Sequence, residues 1–263
     1  MRSHLSDRAV IGLSGPEARG FLQGLITNDI EKLASGAALY AALLTPQGKI
    51  LFDFLLADDA AGGIWLNCAA GSRDALVKRL SMYRLRAKVE IGPRDDLAVI
   101  AGWDEQKPDG AFSDPRVAGL GWRKIGPEHE AADADYLSHR LSLGVPEGAD
   151  FGSDKTFALD GDLEELHAVS FDKGCYVGQE LTARMKHRGT ARKRLLPVTA
   201  ESPLPQPGTA VMAGQTNIGE ITSAYGARGF ALIRLDRLEE TKSHALAADG
   251  IAVNVTKPSW LSA

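Results

Sequence analysis

The sequence predicts an α+β fold that is followed by a small C-terminal β-barrel. In residues 1–194, runs with the two-residue period of strands and runs with the helical period occur without a strict alternation, which argues against a doubly wound parallel sheet. From Leu195 onward, short strand-like runs are separated by proline and glycine, a pattern typical of a small barrel or sandwich. A chain of 263 residues that is 44% hydrophobic can bury a sizeable core. We therefore predict an α+β domain over residues 1–194 and a β-barrel domain over residues 195–263.

The first part is predicted to begin with a helix and a three-stranded meander. The stretch SGPEARGFLQGLITNDI places Ser14 and Glu17 at the spacing of a capping box, with Pro16 in the first turn, and its apolar residues recur at helical spacing. Residues 38–70 then predict three strands, with turns at TPQG and ADDAAGG. Because short turns connect antiparallel neighbours, these strands predict an antiparallel meander.

Further helices and strands follow along the chain. SRDALVKRLSMYRL predicts a second helix, and AKVEIG, DLAVIAGW and GLGWRKIG predict strands. The polar stretch from Asp104 to Asp114 predicts a surface loop. DADYLSHRLSLG predicts a further helix, which Gly144 can close.

Charge, hydropathy and cysteine content exclude several classes of protein. The formal net charge of -4 gives no global attraction to nucleic acid or to an anionic membrane. No stretch approaches the roughly 18 apolar residues of a membrane span, and the N-terminal residues lack the pattern of a signal peptide. We therefore expect a soluble cytoplasmic protein with no membrane partner. Only Cys68 and Cys175 are present, so neither a disulfide framework nor a metal site is predicted, and Cys68 is expected to be buried in a strand.

Residues 171–195, FDKGCYVGQELTARMKHRGTARKRL, are the most informative stretch. Glycines flank CYV, and QELTARMKHR predicts a helix. Cys175 then precedes a helix N-terminus, where unpaired backbone amides favour a thiolate, and Lys173 would add to this effect if its ammonium turned toward the sulfur. The alternative is a cysteine that only packs in a glycine-rich turn, since free cysteine is usually buried. A functional thiol is favoured because its neighbours are polar and glycine-flanked rather than apolar.

A concentration of positive charge follows. Glu180 and Arg184 have the spacing of an exposed helical ion pair. Beyond this pair there is no acidic residue from Leu181 to Ala200. Such a run is usually a solvated face, but it can also hold an anionic ligand or RNA phosphate. The basic residues of the run are Arg184, Lys186, Arg188, Arg192, Lys193 and Arg194.

The motif KGCYVGQE resembles that of the YgfZ-type folate-binding proteins, which are related to the mitochondrial iron–sulfur assembly factors and to the T-protein aminomethyltransferase of the glycine cleavage system. Blocks at residues 21–30, 44–56, 83–91, 139–148 and 217–226 resemble the same family in the same order. The resemblance implies a T-protein-like folate-binding domain with mixed or antiparallel sheets and a central channel, followed by a small β-barrel. It also implies a functional thiol at Cys175 within a motif that includes Lys173, Gly174, Tyr176, Gly178, Gln179 and Glu180.

Tetrahydrofolate or a derivative is the cofactor that the resemblance implies. T-proteins have two adjacent aspartates where this chain has Phe52 and Asp53, and the loss of one carboxylate argues against aminomethyl transfer. Asp160 and Glu164 take the place of a Glu and an Asp that many YgfZ-type proteins carry upstream of the cysteine motif. A pterin ring offers N–H donors to a carboxylate, and the glutamate tail needs Arg or Lys. The candidates for these contacts are Asp53, Asp160, Lys49, Arg84, Arg86, Arg140 and Arg184.

The resemblance implies a tetrahydrofolate-binding accessory protein that supports assembly or repair of [4Fe–4S] clusters, including those of radical enzymes that thiolate tRNA. Its partners would be the iron–sulfur assembly machinery or client proteins. One alternative is a folate-dependent aminomethyl or one-carbon transferase, against which Phe52 argues. The other is a tRNA-binding module using residues 184–194, against which the acidic net charge and the lack of stacking aromatics argue. Two cysteines are too few for a Cys₄ cluster, so a bound cluster would need ligands from elsewhere.

Overall fold

In the computed structural model, the hydrophobic patterns form helices and strands close to those expected. The structure describes residues 1–59, 61–127, 134–152, 154–189, 192–241 and 244–261. The helices within these ranges are α1 (Ala18–Gln23), α2 (Arg73–Arg84), α3 (Tyr136–Ser142), α4 (Gln179–Arg188) and α5 (Leu235–Glu240). The strands are β1 (Arg2–His4), β2 (Arg8–Ser14), β3 (Ala38–Leu44), β4 (Ile50–Asp58), β5 (Ile64–Ala69), β6 (Glu90–Pro93), β7 (Ala98–Gly102), β8 (Phe112–Ser113), β9 (Trp122–Gly126), β10 (Lys193–Ala200), β11 (Ala210–Ala213), β12 (Thr216–Tyr225), β13 (Arg228–Arg234), β14 (Leu246–Ala248) and β15 (Ile251–Val255).

The predicted meander lies in a five-stranded antiparallel sheet. The strand order is β3-β4-β5-β2-β6, so the three meander strands are neighbours in chain order. β3 is apolar along most of its length because both of its faces are covered. Ala41 and Leu43 pack into one core together with helices α1 and α2, whereas Tyr40 and Ala42 pack into a second core.

A second antiparallel sheet lies against that second core. Its strand order is β1-β7-β9-β8. Val99 from β7 and Ile125 from β9 contribute to the core, and so do Leu195 and Phe230 from the C-terminal strands. The two sheets and the C-terminal part of the chain therefore share one body of apolar side chains.

The C-terminal strands form a closed barrel. Their order is β10-β13-β12-β11-β14-β15, and β15 pairs back with β10, so the barrel has no open sheet edge. Val198, Val211, Ile221 and Ile233 fill its interior. The α+β fold with a C-terminal barrel is confirmed. Strand β10 begins at Lys193, and the division into domains at residue 195 stays a prediction.

Three local expectations differ from the structure. Helix α1 ends at Gln23, so it covers only the middle of the stretch that predicts the first helix. The capping box does not form, because Ser14 at the end of β2 pairs with Glu90 in β6, while Glu17 accepts a hydrogen bond from the backbone amide of Lys88. The predicted surface loop at residues 104–114 ends inside the fold, because Phe112 pairs with β9 and packs into the core. The predicted helices α2 and α3 form, with Gly144 left-handed after α3.

Candidate functional site

Lys173 anchors the loop that carries Cys175. Its ammonium donates hydrogen bonds to the backbone carbonyls of Gln23 (2.7 Å), Ile26 (2.7 Å) and Asn28 (2.8 Å), and the residue is only 8% exposed. An ammonium has three protons, and each has a carbonyl acceptor here. The condition under which Lys173 would favour a thiolate at Cys175, an ammonium turned toward the sulfur, is therefore not met, because the ammonium is directed at backbone carbonyls.

The carbonyls around Lys173 converge because the chain turns sharply after α1. Gln23 is the last residue of α1, and carbonyls at the end of a helix have no partner within the helix, so this carbonyl is free to accept from a side chain. Asn28 holds the turn in place by donating from its amide to the carbonyls of Tyr40 and His167. Burial lowers the pKa of Lys173 to about 8, so the amine remains largely protonated at pH 7 and can donate all three bonds.

The residues after Cys175 fix the loop on its other side. Gly178 is left-handed (φ 84°), and a Cβ there would lie 2.5 Å from the carbonyl oxygen of Thr45 and 2.8 Å from the Cβ of Leu44. No other residue fits this contact with the TPQG turn without displacing it. Tyr176 packs into the core, and burial raises the pKa of its hydroxyl to about 12. Residues 173–178, called the Cys175 loop below, are thus anchored at both ends.

Cys175 is exposed between these anchors, whereas the other cysteine is not. Cys68 lies in β5 with 1% of its surface exposed, as predicted, and burial raises the pKa of its thiol to about 11. Gly174 is exposed as well, and no atom lies within 4 Å of the position that its Cβ would take. Of the two thiols, Cys175 alone is accessible to a reagent or a partner. Its chemical role stays a prediction.

Helix α4 follows the Cys175 loop as predicted. It begins at Gln179 and is closed by Gly189, which is left-handed. Glu180 and Arg184 form the predicted ion pair at 2.7 Å, with both side chains largely exposed. The guanidinium of Arg184 therefore has a partner within its own helix.

Part of the basic run is neutralised by nearby carboxylates. Lys186 pairs with Glu164. Arg194 pairs with Glu165 at 2.7 Å and lies 3.3 Å from the carboxylate of Asp162. Together with Arg184, half of the six basic residues have acidic partners, which reduces the charge available to RNA phosphate.

A buried cluster of charged residues lies where the two sheets meet α3. Glu147 is at its centre, and burial alone would raise its pKa, but the surrounding guanidinium groups hold the pKa of Glu147 well below the usual range. Asp114 accepts two hydrogen bonds from the guanidinium of Arg116. Four arginines surround Glu147, with nitrogen to carboxylate oxygen distances of 3.7 Å for Arg8, 2.6 Å for Arg116, 3.3 Å for Arg123 and 3.8 Å for Arg140. These four arginines are called the arginine cluster below.

Of this cluster, the sequence had singled out Arg140 alone. The other members are arginines close to another charge at the edge of an apolar run, such as Arg123 next to Lys124 in GLGWRKIG. Arginine is mostly exposed in proteins, so an isolated arginine gives little sign of burial. Alternation along β9 could have identified Arg123, but its acceptors Asp114 and Glu147 are separated from it in sequence and no pattern links them.

Asp53 belongs to the same buried region. Its carboxylate accepts hydrogen bonds from the hydroxyl of Tyr40 (3.0 Å) and from the backbone amide of Gly148 (2.9 Å). Burial raises the pKa of Asp53, and the Arg8 guanidinium opposes this shift. Arg140 donates to Asp150 (2.6 Å) and is 3% exposed. Asp53 and Arg140, two of the residues expected to contact folate, thus have partners within the protein, and the binding of folate stays a prediction.

Two further folate candidates, Lys49 and Asp160, have other surroundings. Lys49 donates to the backbone carbonyl of Asp154 (3.0 Å). Asp160 is 6% exposed beside the first barrel strand, where its backbone carbonyl accepts from the amide of Leu195 (2.9 Å). Burial raises the pKa of Asp160 to about 6, and Lys193 and Arg194 oppose the shift. No hydrogen bond among the described residues joins Lys49 or Asp160 to Asp53 or Arg140.

Two other features are absent from the described residues. No group of three or more His, Cys, Asp or Glu side chains there is arranged to hold a metal ion. In the same residues, no helix combines the length and apolar character needed to cross a membrane.

Two family models match separate parts of the chain. The GCVT N-terminal domain matches residues 4–101, and the CAF17 C-terminal beta-barrel domain matches residues 192–263. The crystal structure of glycine cleavage system aminomethyltransferase T from Bartonella henselae superposes with a TM-score of 0.76 at 18% identity, covering 99% of this chain and 86% of that one. The T-protein-like fold is thereby confirmed, and at this identity the likeness concerns the fold alone.

Relatives with higher identity are iron–sulfur cluster assembly factors named IBA57. The human protein is 35% identical and the Mus musculus protein 33% identical, and each alignment covers 97% of this chain and 84% of the relative. A Pyricularia oryzae homologue is 32% identical over 88% of this chain and 71% of its own length. All three are named as mitochondrial proteins, so the expectation of a cytoplasmic protein is contradicted. These relatives also refine the YgfZ-type resemblance: the chain belongs to the IBA57 family of iron–sulfur cluster assembly factors.

Proposed function

We propose that this protein assists the assembly of iron–sulfur clusters and that the thiol of Cys175 contacts the cluster or the protein that carries it. The observation that carries the proposal is the presentation of this thiol: it is exposed on a loop whose neighbours Lys173 and Gly178 are both fixed to the fold. A fixed, accessible thiol can meet a partner without first ordering the loop, which lowers the entropic cost of contact.

The single accessible thiol limits how many cluster ligands this protein can supply. Clusters are held by several cysteine thiolates, and Cys68 is buried in β5 and out of reach of solvent. This protein therefore contributes one ligand or one contact, and a partner of the assembly machinery or a client protein contributes the others. Membership of a family of assembly factors agrees with such a shared arrangement.

The clients are proposed to be [4Fe–4S] proteins. The extension to radical enzymes that thiolate tRNA rests on the sequence resemblance alone. Aminomethyl transfer is not proposed, because Phe52 replaces a carboxylate and Asp53 is engaged by Tyr40 and Gly148. Tetrahydrofolate binding stays a prediction of the resemblance, and the role proposed for Cys175 contains no step that needs it.

A reconstituted maturation assay tests the proposal. The purified assembly machinery loads a [4Fe–4S] cluster into an apoprotein client, with and without this protein, and cluster formation is followed by visible absorption and by recovery of client activity. We expect Cys175→Ser to abolish the stimulation while the thermal unfolding temperature stays close to that of the native protein, because an exposed thiol contributes little to stability.

Arg184→Gln is the matched control for this assay. It changes an exposed side chain on the helix that follows the same loop, and it removes a surface ion pair of small energy. We expect this variant to stimulate maturation normally. Full stimulation by Cys175→Ser would overturn the role assigned to the thiol.

A further inference from the structure

A cleft separates the α3 region from the barrel and from the residues that follow β15. It has a volume of about 660 Å³ and is lined by residues 117, 119, 141–144, 197–199, 228–229 and 256–260. Sites for small molecules typically occupy about 300 to 1,000 Å³ and occur preferentially where domains meet. The cleft shares no residue with the Cys175 loop or with the arginine cluster.

The walls of this cleft are held in place by contacts on both of its sides. Trp260 donates a hydrogen bond from its indole nitrogen to the backbone carbonyl of Leu143 (2.8 Å), which links the C-terminal segment to the end of α3. Gly144 packs directly against two proline rings, since a Cβ there would lie 2.7 Å from Pro197 and 2.8 Å from Pro258. The cleft is therefore formed before any ligand arrives, which reduces the entropic cost of binding.

The charge of the lining has one sign. Arg228 and Lys257 are its charged residues; both are exposed, and neither forms an ion pair within the part of the chain that the structure describes. Asp135 is outside the lining, and its pKa is lowered by hydrogen bonds from Ser138 and, to a smaller extent, by the charge of Arg228. In a chain of net charge -4, a cleft whose described lining holds two cations and no carboxylate side chain favours an anion.

The apolar part of the lining indicates that the ligand also has an apolar body. Trp260, Leu143, Val117 and the proline rings offer a rigid apolar surface beside the two cations. We propose that this cleft binds a small organic acid, with the anionic group held by Arg228 and Lys257 and the apolar body resting on Trp260 and Leu143. The site is separate from the role of Cys175, and it does not depend on that role.

Binding of two fluorescent probes to the full-length protein tests the site. Anilinonaphthalene sulfonate is an apolar ring system with one anionic group, and phenylnaphthylamine is a comparable ring system without charge. We expect the sulfonate to bind saturably at one site per chain. The double variant Arg228→Gln, Lys257→Gln should weaken sulfonate binding at least about tenfold, since charge-assisted hydrogen bonds are lost, and should change binding of the neutral probe less than about twofold.

The matched control is Arg188→Gln, Arg192→Gln, which removes two exposed cations outside the cleft and produces the same net charge. The proposal is overturned if the control weakens sulfonate binding as much as the cleft variant, or if both probes weaken equally. Sedimentation provides a further test. The proposal is also overturned if the protein is a dimer that does not bind the probe and only the dissociated monomer binds it, because a second copy of the chain would then occupy the cleft. Both variants change exposed side chains, so their unfolding temperatures should match that of the native protein.

Discussion

Replacement of Lys173 by methionine tests whether this residue is an anchor or a reactive group. Methionine keeps most of the length and volume of the side chain but removes the ammonium, so the carbonyls of Gln23, Ile26 and Asn28 lose their shared donor. Hydrogen bonds to a charged group contribute about 1.5 to 3 kcal/mol each to stability. Part of their loss is offset in the variant, because no ammonium has to be desolvated when the chain folds. We therefore expect Lys173→Met to lower the free energy of unfolding by about 3 kcal/mol.

Urea unfolding followed by tryptophan fluorescence measures this change, and thermal unfolding provides a second reading. For a chain of this size, about 3 kcal/mol corresponds to roughly 6 to 12 °C in Tm. Arg184→Met is the control, because loss of its exposed helical ion pair should cost only about 0.3 to 0.5 kcal/mol. A Lys173→Met variant of unchanged stability whose Cys175 reacts more slowly with iodoacetamide would refute the anchoring role and favour a direct effect on the thiol.

Three further predictions follow from the burial of single groups. Maleimide should label Cys175 alone in the native protein, and Cys68 should react only in denaturant, as peptide mass mapping will show. Arg123→Met should cost about 3 to 5 kcal/mol in urea unfolding, because Glu147 loses a buried partner; a loss below about 1 kcal/mol would contradict this reading. The raised pKa of Asp160 means that the folded protein binds a proton more readily than the unfolded chain between about pH 4 and pH 6, so stability falls as pH rises through that window. Asp160→Asn should therefore stabilise the protein by about 1 to 2 kcal/mol at pH 7 and by little at pH 4.

The local pattern of apolar and turn residues was sufficient to predict most of the secondary structure. The meander strands, helix α4 with its closing glycine and the short barrel strands all follow from periodicity and turn residues in the sequence. The capping box at Ser14 failed for a tertiary reason: β2 keeps Ser14 paired with Glu90 in β6, far along the chain, and this pairing competes with the helix start.

Some features of the candidate site also follow from local sequence, whereas others depend on the tertiary structure. The sequence by itself determined that a lone cysteine lies between glycines before a helix, and that Glu180 and Arg184 pair on that helix, because these features depend on neighbours within a few residues. Only the tertiary structure decided what Lys173 does, since its carbonyl partners lie up to 150 residues away in the chain.

The same holds for the charged side chains expected to meet a ligand. The sequence predicts Asp53 and Arg140 as ligand contacts, and folding places both among other charges and gives each a partner within the protein. The sequence determines which charges are present and on which elements they lie. Only the packing of the two sheets and α3 decides whether a charge faces solvent or another charge, because burial brings together residues whose spacing in the sequence carries no information about their distance in space.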